Sequence, residues 1–177
     1  MKIKKTKFKD LLVIYQKNNF DKRGSLRETF NKKLLKKSFV FEYCTTSKKN
    51  VLRGFHFQTK FKQSKFVNVL KGKILDVVID LRKKSKTFGK TFQIILSKEN
   101  ALGLYIPRGF AHAYYSIDKE NVIYYKLDNY YAPKFESGIV YNDISIKVKW
   151  PKKKIIISKK DQKLLTLKEF IKKFKNL

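Results

Sequence analysis

Six short runs rich in Val, Ile, Phe and Tyr occupy residues 65–70, 73–81, 91–96, 102–106, 110–116 and 121–127, and the gaps between them leave no room for a crossover helix. Turn signals fill those gaps: Lys71-Gly72, Phe88-Gly89, Pro107-Arg108-Gly109 and Asp118-Lys119-Glu120. Parallel strands need a long crossover, so this spacing points to an antiparallel sandwich or barrel. Two helices are expected to frame the β region. A short one covers 29–37. A firmer one covers 167–177, where Thr166 and Glu169 stand as a capping box and Leu167, Phe170, Ile171 and Phe174 share one face. No linker, repeat or low-complexity segment interrupts the chain, so residues 1–177 read as a single domain.

Composition narrows the function classes. Hydrophobic residues at 42% and aromatics at 15% argue for a packed core despite a net charge of +29. No apolar run approaches the ~20 residues of a membrane span, and the basic N-terminus leads into no apolar signal segment. Cys44 is the lone cysteine, and no Cys/His cluster has zinc spacing, which suits a reducing, cytoplasmic setting without a metal. The charge invites a nucleic-acid reading, yet only five of the 43 basic residues are arginine, and the lysines are spread through nearly every loop and terminus. Base reading and phosphate clamping favour the guanidinium fork, and no nucleic-acid motif is present. A solvated, lysine-loaded surface that attracts small anions is the better reading.

Strand alternation sorts the polar residues by face. Asp76 and Asp80 share a side with Ile74 and Val78; His112 goes with Phe110 and Tyr114; Tyr125 goes with Ile123 and Leu127. The chain holds two histidines, His56 and His112, each just after a glycine–aromatic step, and histidine is the side chain suited to proton transfer near neutrality. Regular alternation puts Arg53 and His56 on opposite faces, unless Gly54 marks a bulge that brings both to one cavity.

Several ordered segments share one pattern: Asp21-Lys22-Arg23-Gly24 with Glu28, 51–58 (Val-Leu-Arg-Gly-Phe-His-Phe-Gln), Gln63-Ser64-Lys65, Asp80-Leu81-Arg82 and 85–89 (Ser-Lys-Thr-Phe-Gly). They continue through 106–112 (Ile-Pro-Arg-Gly-Phe-Ala-His), Tyr125-Lys126, 129–133 (Asn-Tyr-Tyr-Ala-Pro), Asn142-Asp143, Trp150-Pro151 and Ser158-Lys159-Lys160-Asp161. In this series, from about Asp21 to about Asp161, the chain resembles the dTDP-4-dehydrorhamnose 3,5-epimerases of rhamnose synthesis. The resemblance implies a mostly β, cupin-like antiparallel jelly roll, assembled as a homodimer and working without metal or other cofactor on a dTDP-sugar.

It also implies the chemistry. Hydrogens beside a ketone are acidic because the carbanion delocalises onto the carbonyl oxygen. Inverting C3 and C5 of a 4-keto sugar therefore takes a base on one face, an acid on the other and positive charge at the oxygen. By resemblance the base is His56, oriented by Asp161; the acid is Tyr125; and Lys65 stands near the keto oxygen. Asp76 and His112 line the site with Gln58, and Arg53 lies beside the sugar and phosphates. Arg23, Glu28, Glu136 and Lys160 hold the nucleotide end, with Tyr131 stacking on the thymine. Asp80 and Arg82 read as structural partners. Four positions depart from the family pattern: Leu26 replaces an aromatic, Tyr43 and Thr45 replace a glutamine and an asparagine, and Ala113 follows His112 in place of glycine. They leave open a single-site epimerase or a 3,4-ketoisomerase on a related nucleotide-sugar, and more remotely a non-enzymatic jelly roll that binds polyanions.

Overall fold

A computed structural model describes residues 1–151 and 154–174. Its strands are β1 (Lys2–Lys5), β2 (Leu12–Tyr15), β3 (Asn18–Asp21), β4 (Gly24–Arg27), β5 (Phe41–Lys48), β6 (Leu52–Gln58), β7 (Lys65–Lys71), β8 (Lys73–Asp80), β9 (Thr91–Ser97), β10 (Leu102–Ile106), β11 (Phe110–Ser116), β12 (Glu120–Leu127) and β13 (Glu136–Gly138). The helices are α1 (Lys32–Leu35), α2 (Lys159–Gln162) and α3 (Leu167–Lys173). Every ladder between named strands is antiparallel. One sheet runs β1-β2-β10-β7-β12-β5, a second runs β13-β6-β11-β8-β9, and β3–β4 form a separate hairpin. This is the expected cupin-like jelly roll.

Three apolar layers hold it together. Between the sheets lie Val67, Val69, Leu104, Ile106, Ile123 and Leu127 from the first and Ile74, Val78, Leu96 and Phe110 from the second. The period of two in β8 turns Val77 and Ile79 the other way, onto the outer face, where Phe55, Phe57, Leu167 and Phe170 cover them. A third cluster packs Leu35 of α1 over Ile14, Phe66 and Tyr105 behind the first sheet. Removing these side chains from water, at ~25 cal/mol per Å² of apolar surface, is the main force that closes the sheets.

The six expected strands are all present, with ends within one residue of those read from the sequence. Strands β1, β3, β4 and the edge strand β5 were not legible, because their lysine-rich or mostly exposed patterns lack a continuous buried face, and β2, though apolar and half-buried, is only four residues long. The capping box of α3 is formed as expected, and Phe170 and Phe174 meet the Phe57 ring at 5.3 and 6.4 Å. Ile171 departs from the expected face and is largely exposed, because the packed stripe is Leu167, Phe170 and Phe174. The end of the expected helix, 175–177, lies outside the described residues. α1 is a single turn within 29–37, capped by Asn31.

Asp80 is fully buried and ties down the β8–β9 connection. It accepts hydrogen bonds from the Arg82 backbone and guanidinium, Ser85 Oγ and Thr87 Oγ1. Burial pushes its carboxyl up, but these donors outweigh that and hold it below its ordinary value.

Candidate active site

His56 and Tyr125 reach the interior from opposite sheets: His56 stands on β6 of the five-stranded sheet and Tyr125 on β12 of the six-stranded one. Packed sheets lie about 10 Å apart, the thickness of a sugar ring with its contacts. The ladder between β6 and β11 slips by one residue: His112 pairs with His56, but Tyr114 pairs with Arg53. The extra residue is the bulge anticipated at Gly54. Phe55 and Phe57 keep the outer face, while Arg53 joins His56 at one opening and donates to Ser47 from an exposed position. Glycine is required there: Gly54 has φ +109°, and a Cβ would lie 2.4 Å from the His112 carbonyl oxygen and 2.9 Å from Ala113 Cβ.

Asp161 comes to His56 across 105 residues of sequence. The route is a parallel bridge between Ile156 and Val51, which lays the C-terminal segment beside the start of β6. Ser158 then caps α2, accepting from the Asp161 N–H at 3.0 Å, and the turn aims the carboxylate inward. Asp161 Oδ1 lies 2.8 Å from His56 Nε2, and Oδ2 accepts the Gly54 N–H at 3.1 Å. Burial raises the Asp161 carboxyl, yet the His56 contact and the Gly54 and Ser158 hydrogen bonds keep it below the usual carboxylate range. An ionised carboxylate only accepts, so Nε2 carries hydrogen and Nδ1 keeps a free lone pair. With its side chain 28% exposed beside the 6% of Asp161, the imidazole is the accessible half of the pair.

A second pair lies deeper. His112 Nε2 and Asp76 Oδ2 are 2.8 Å apart with both side chains buried. The His112 ring meets Tyr125 edge-on, with centroids 6.0 Å apart. Tyr125 is only 3% exposed, and burial, with Tyr114, Tyr43 and Asp76 around it, lifts its phenol well above the ordinary value. Lys65, at the start of β7, shares an interior-facing row with Val67 and Val69. Burial lowers its ammonium to about 8, against the pull of Glu136 and Asp76.

Of these groups, His56 and Lys65 line a hollow of about 60 Å³, together with Tyr43, Gln58, Tyr131 and Glu136. Glu136 sits opposite Gln58 in the β13–β6 ladder. It accepts the Tyr131 hydroxyl at 2.9 Å and pairs with Lys160. Burial raises the Glu136 carboxyl, but Lys160, His56 and Tyr131 together hold it below its ordinary value. Gln58 lines the hollow, but its amide is engaged by backbone: it donates to the Phe61 and Tyr130 carbonyls and accepts from Ala132 N–H at 2.7 Å. It therefore anchors the loop that presents Tyr131. Arg53 and Asp161 line a second opening on the other side of His56, with Ser158.

Six expected site residues line neither opening: Tyr125, His112 and Asp76 are buried, Lys160 is linked to the hollow through its pair with Glu136, and Arg23 and Glu28 are farther off. Arg23 and Glu28 belong to the exposed β3–β4 hairpin region, where Arg23 pairs with Asp21 and Glu28 accepts from Asn31. Conversely, sequence reasoning passed over the polar row on β5: Ser47 accepts from Arg53 Nε at 3.1 Å, and Ser47 and Thr45 both bond the Tyr114 hydroxyl. The only hint was that Tyr43 and Thr45 depart from the family pattern.

Fold and site define a jelly-roll protein with a histidine–carboxylate pair and a shielded phenol on opposite sheets. The dTDP-4-dehydrorhamnose 3,5-epimerase family model matches residues 5–169, and the chain belongs to that family. It is 37% identical to the dTDP-4-dehydrorhamnose 3,5-epimerase of Escherichia coli K12 over 179 residues, 97% of each chain. A crystal structure of the enzyme of that name from Elizabethkingia anophelis aligns with TM-score 0.89 and 38% identity, covering 96% of this chain and 97% of that one. The dTDP-6-deoxy-D-glucose-3,5-epimerase of Legionella pneumophila, solved with dTDP-4-keto-L-rhamnose, aligns with TM-score 0.90 and 36% identity, covering 94% and 93%.

Proposed function

We propose that this chain is a cofactor-free isomerase that inverts C3 and C5 of a dTDP-4-keto-6-deoxy-hexose, converting dTDP-4-dehydro-6-deoxyglucose to dTDP-4-dehydrorhamnose. The observation that carries the reading is the placement of His56, backed by Asp161, and Tyr125 on opposite sheets, with Lys65 lining the hollow of His56 and Tyr125 stacked beneath the Tyr43 ring that also lines it. His56 Nδ1 takes the proton beside the ketone. The electron pair moves onto the C4 oxygen, where the Lys65 ammonium stabilises the enolate. Tyr125 returns a proton from the opposite face, so the centre inverts. Arg53 and the basic surface favour the diphosphate, while Tyr131, braced by Glu136 and Lys160, offers its ring to the base.

Arg23 and Glu28 can serve the nucleotide end only from another copy, because within one chain they lie away from the hollow. Phe20 and Leu26 are exposed on the same hairpin, as at a surface that another protein covers. We therefore read the working form as a homodimer, with twice the chain mass of 21.1 kDa in light scattering. Among the described residues no helix is long and apolar enough to cross a membrane, and exposed Cys44 suits a reducing cytoplasm. Incubation with dTDP-4-dehydro-6-deoxyglucose in D2O tests the reaction: label at C3 and C5 with a rhamno-configured product is expected. Label at one carbon indicates a single-site epimerase, and a shifted carbonyl a ketoisomerase.

A further inference from the structure

Tyr43 stands directly opposite Tyr125 in the β5–β12 ladder, and the two rings stack with centroids 4.8 Å apart and planes 22° apart. The two faces of that stack have opposite surroundings. Tyr125 is sealed, whereas Tyr43 is 37% exposed and lines the hollow that holds His56 and Lys65. The ring of Tyr43 therefore lies between the hollow and the phenol assigned as the acid. A sugar cannot contact Tyr125 from the hollow while that ring is in place.

The surroundings let it move. β5 is the last strand of its sheet, paired on one side by β12, so the side chains of Phe41, Tyr43 and Thr45 are not confined by a further strand. Next to Tyr43 along the strand is an aromatic shelf: Phe41 lies 5.7 Å from it and 6.2 Å from the exposed Tyr130. A ring leaving Tyr125 exchanges one aromatic contact for another. By contrast, Thr45 and Ser47 on the same row are fixed by the Tyr114 hydroxyl.

We propose that Tyr43 is a gate residue: it stacks over Tyr125 in the empty site, must turn away for the sugar to reach the phenol, and so tunes which sugars the site accepts. The inference rests on Tyr125 being the acid. A gate held shut by a stack reduces the fraction of molecules competent to bind, and an aromatic pair of this kind accounts for about two- to twelvefold in that equilibrium.

The test is a KM-against-kcat comparison of wild type with Tyr43→Ala, Tyr43→Gln and Tyr43→Trp, with Tyr125→Phe as control. Removing the ring lowers KM for dTDP-4-dehydro-6-deoxyglucose by about two- to twelvefold, and the larger ring of tryptophan raises it. Calorimetry with two probes locates the effect: Tyr43→Ala and Tyr43→Gln tighten dTDP-D-xylose, which carries a sugar, and leave dTDP at wild-type affinity. If both truncations instead raise KM or weaken dTDP, Tyr43 is a substrate contact and the gate is refuted. A loss of kcat matching that of Tyr125→Phe likewise refutes it, because the Tyr43 hydroxyl would then take part in the chemistry. Inversion that persists in Tyr125→Phe overturns the acid assignment itself, a separate failure.

Discussion

Replacing Asp161 by asparagine keeps the shape of the site and removes one charge. In the native pair Oδ1 faces His56 Nε2 at 2.8 Å and Oδ2 accepts from Gly54 N–H at 3.1 Å. Asparagine has one acceptor, and the Gly54 N–H needs it, so the amide N–H₂ is turned to the imidazole. Two donors cannot face each other, and Nε2 must give up its hydrogen to Nδ1, the atom required as the base. Loss of a hydrogen bond to a charged group is worth about 1.5–3 kcal/mol, or roughly 10- to 150-fold. The reversed tautomer adds to this, as in the serine-protease triad, where the same change costs about 10⁴-fold in kcat. We expect Asp161→Asn to lower kcat by about 10²- to 10⁴-fold with KM moving less, read by NMR as deuterium entry at C3 and C5. Its melting temperature should stay near wild type, because Gly54 keeps its acceptor. Asp161→Ala leaves the Gly54 N–H unpaired and loses about 1–3 kcal/mol of stability as well. A kcat for Asp161→Asn within threefold of wild type refutes the role given to the pair.

Tyr125→Phe should retain His56-driven exchange of substrate hydrogens with D2O while inversion falls by about 10²- to 10⁴-fold, the span of general acid catalysis; unchanged product formation removes the phenol from the mechanism. Since burial brings Lys65 to about 8, its ammonium is present below that pH and lost above it, so kcat should fall along an alkaline limb centred near pH 8. Lys65→Arg moves the limb upward because a guanidinium keeps its charge, and a wild-type profile flat to pH 10 contradicts the assignment. Asp80→Ala strands partly exposed Arg82 and two hydroxyls, costing about 2–4 kcal/mol. Thermal melts should fall by ~2–4 °C per kcal/mol, and a shift under 2 °C refutes its structural role.

The central strands, the α3 cap and the inward rows of β8, β11 and β12 were legible in sequence because they are local: a period of two, a turn residue or a three-residue cap is decided by neighbours along the chain. The two histidines and their glycine–aromatic steps were legible for the same reason. Tertiary structure decided what depends on partners far apart in sequence. The Gly54 bulge, in sequence only one of two options, is fixed by pairing with β11, whose register slip puts Arg53 on the face of His56 and leaves no room for a Cβ at Gly54. Asp161 reaches His56 through a bridge at Ile156 that no local pattern announces. Ile171 follows helical spacing yet faces water, and Gln58 turns its amide to the Tyr131 loop. Local sequence determines which way a side chain leaves its strand; only the closing of two sheets determines what it meets, because the free energy of that meeting comes from burial and from polar groups that must find partners once water is gone.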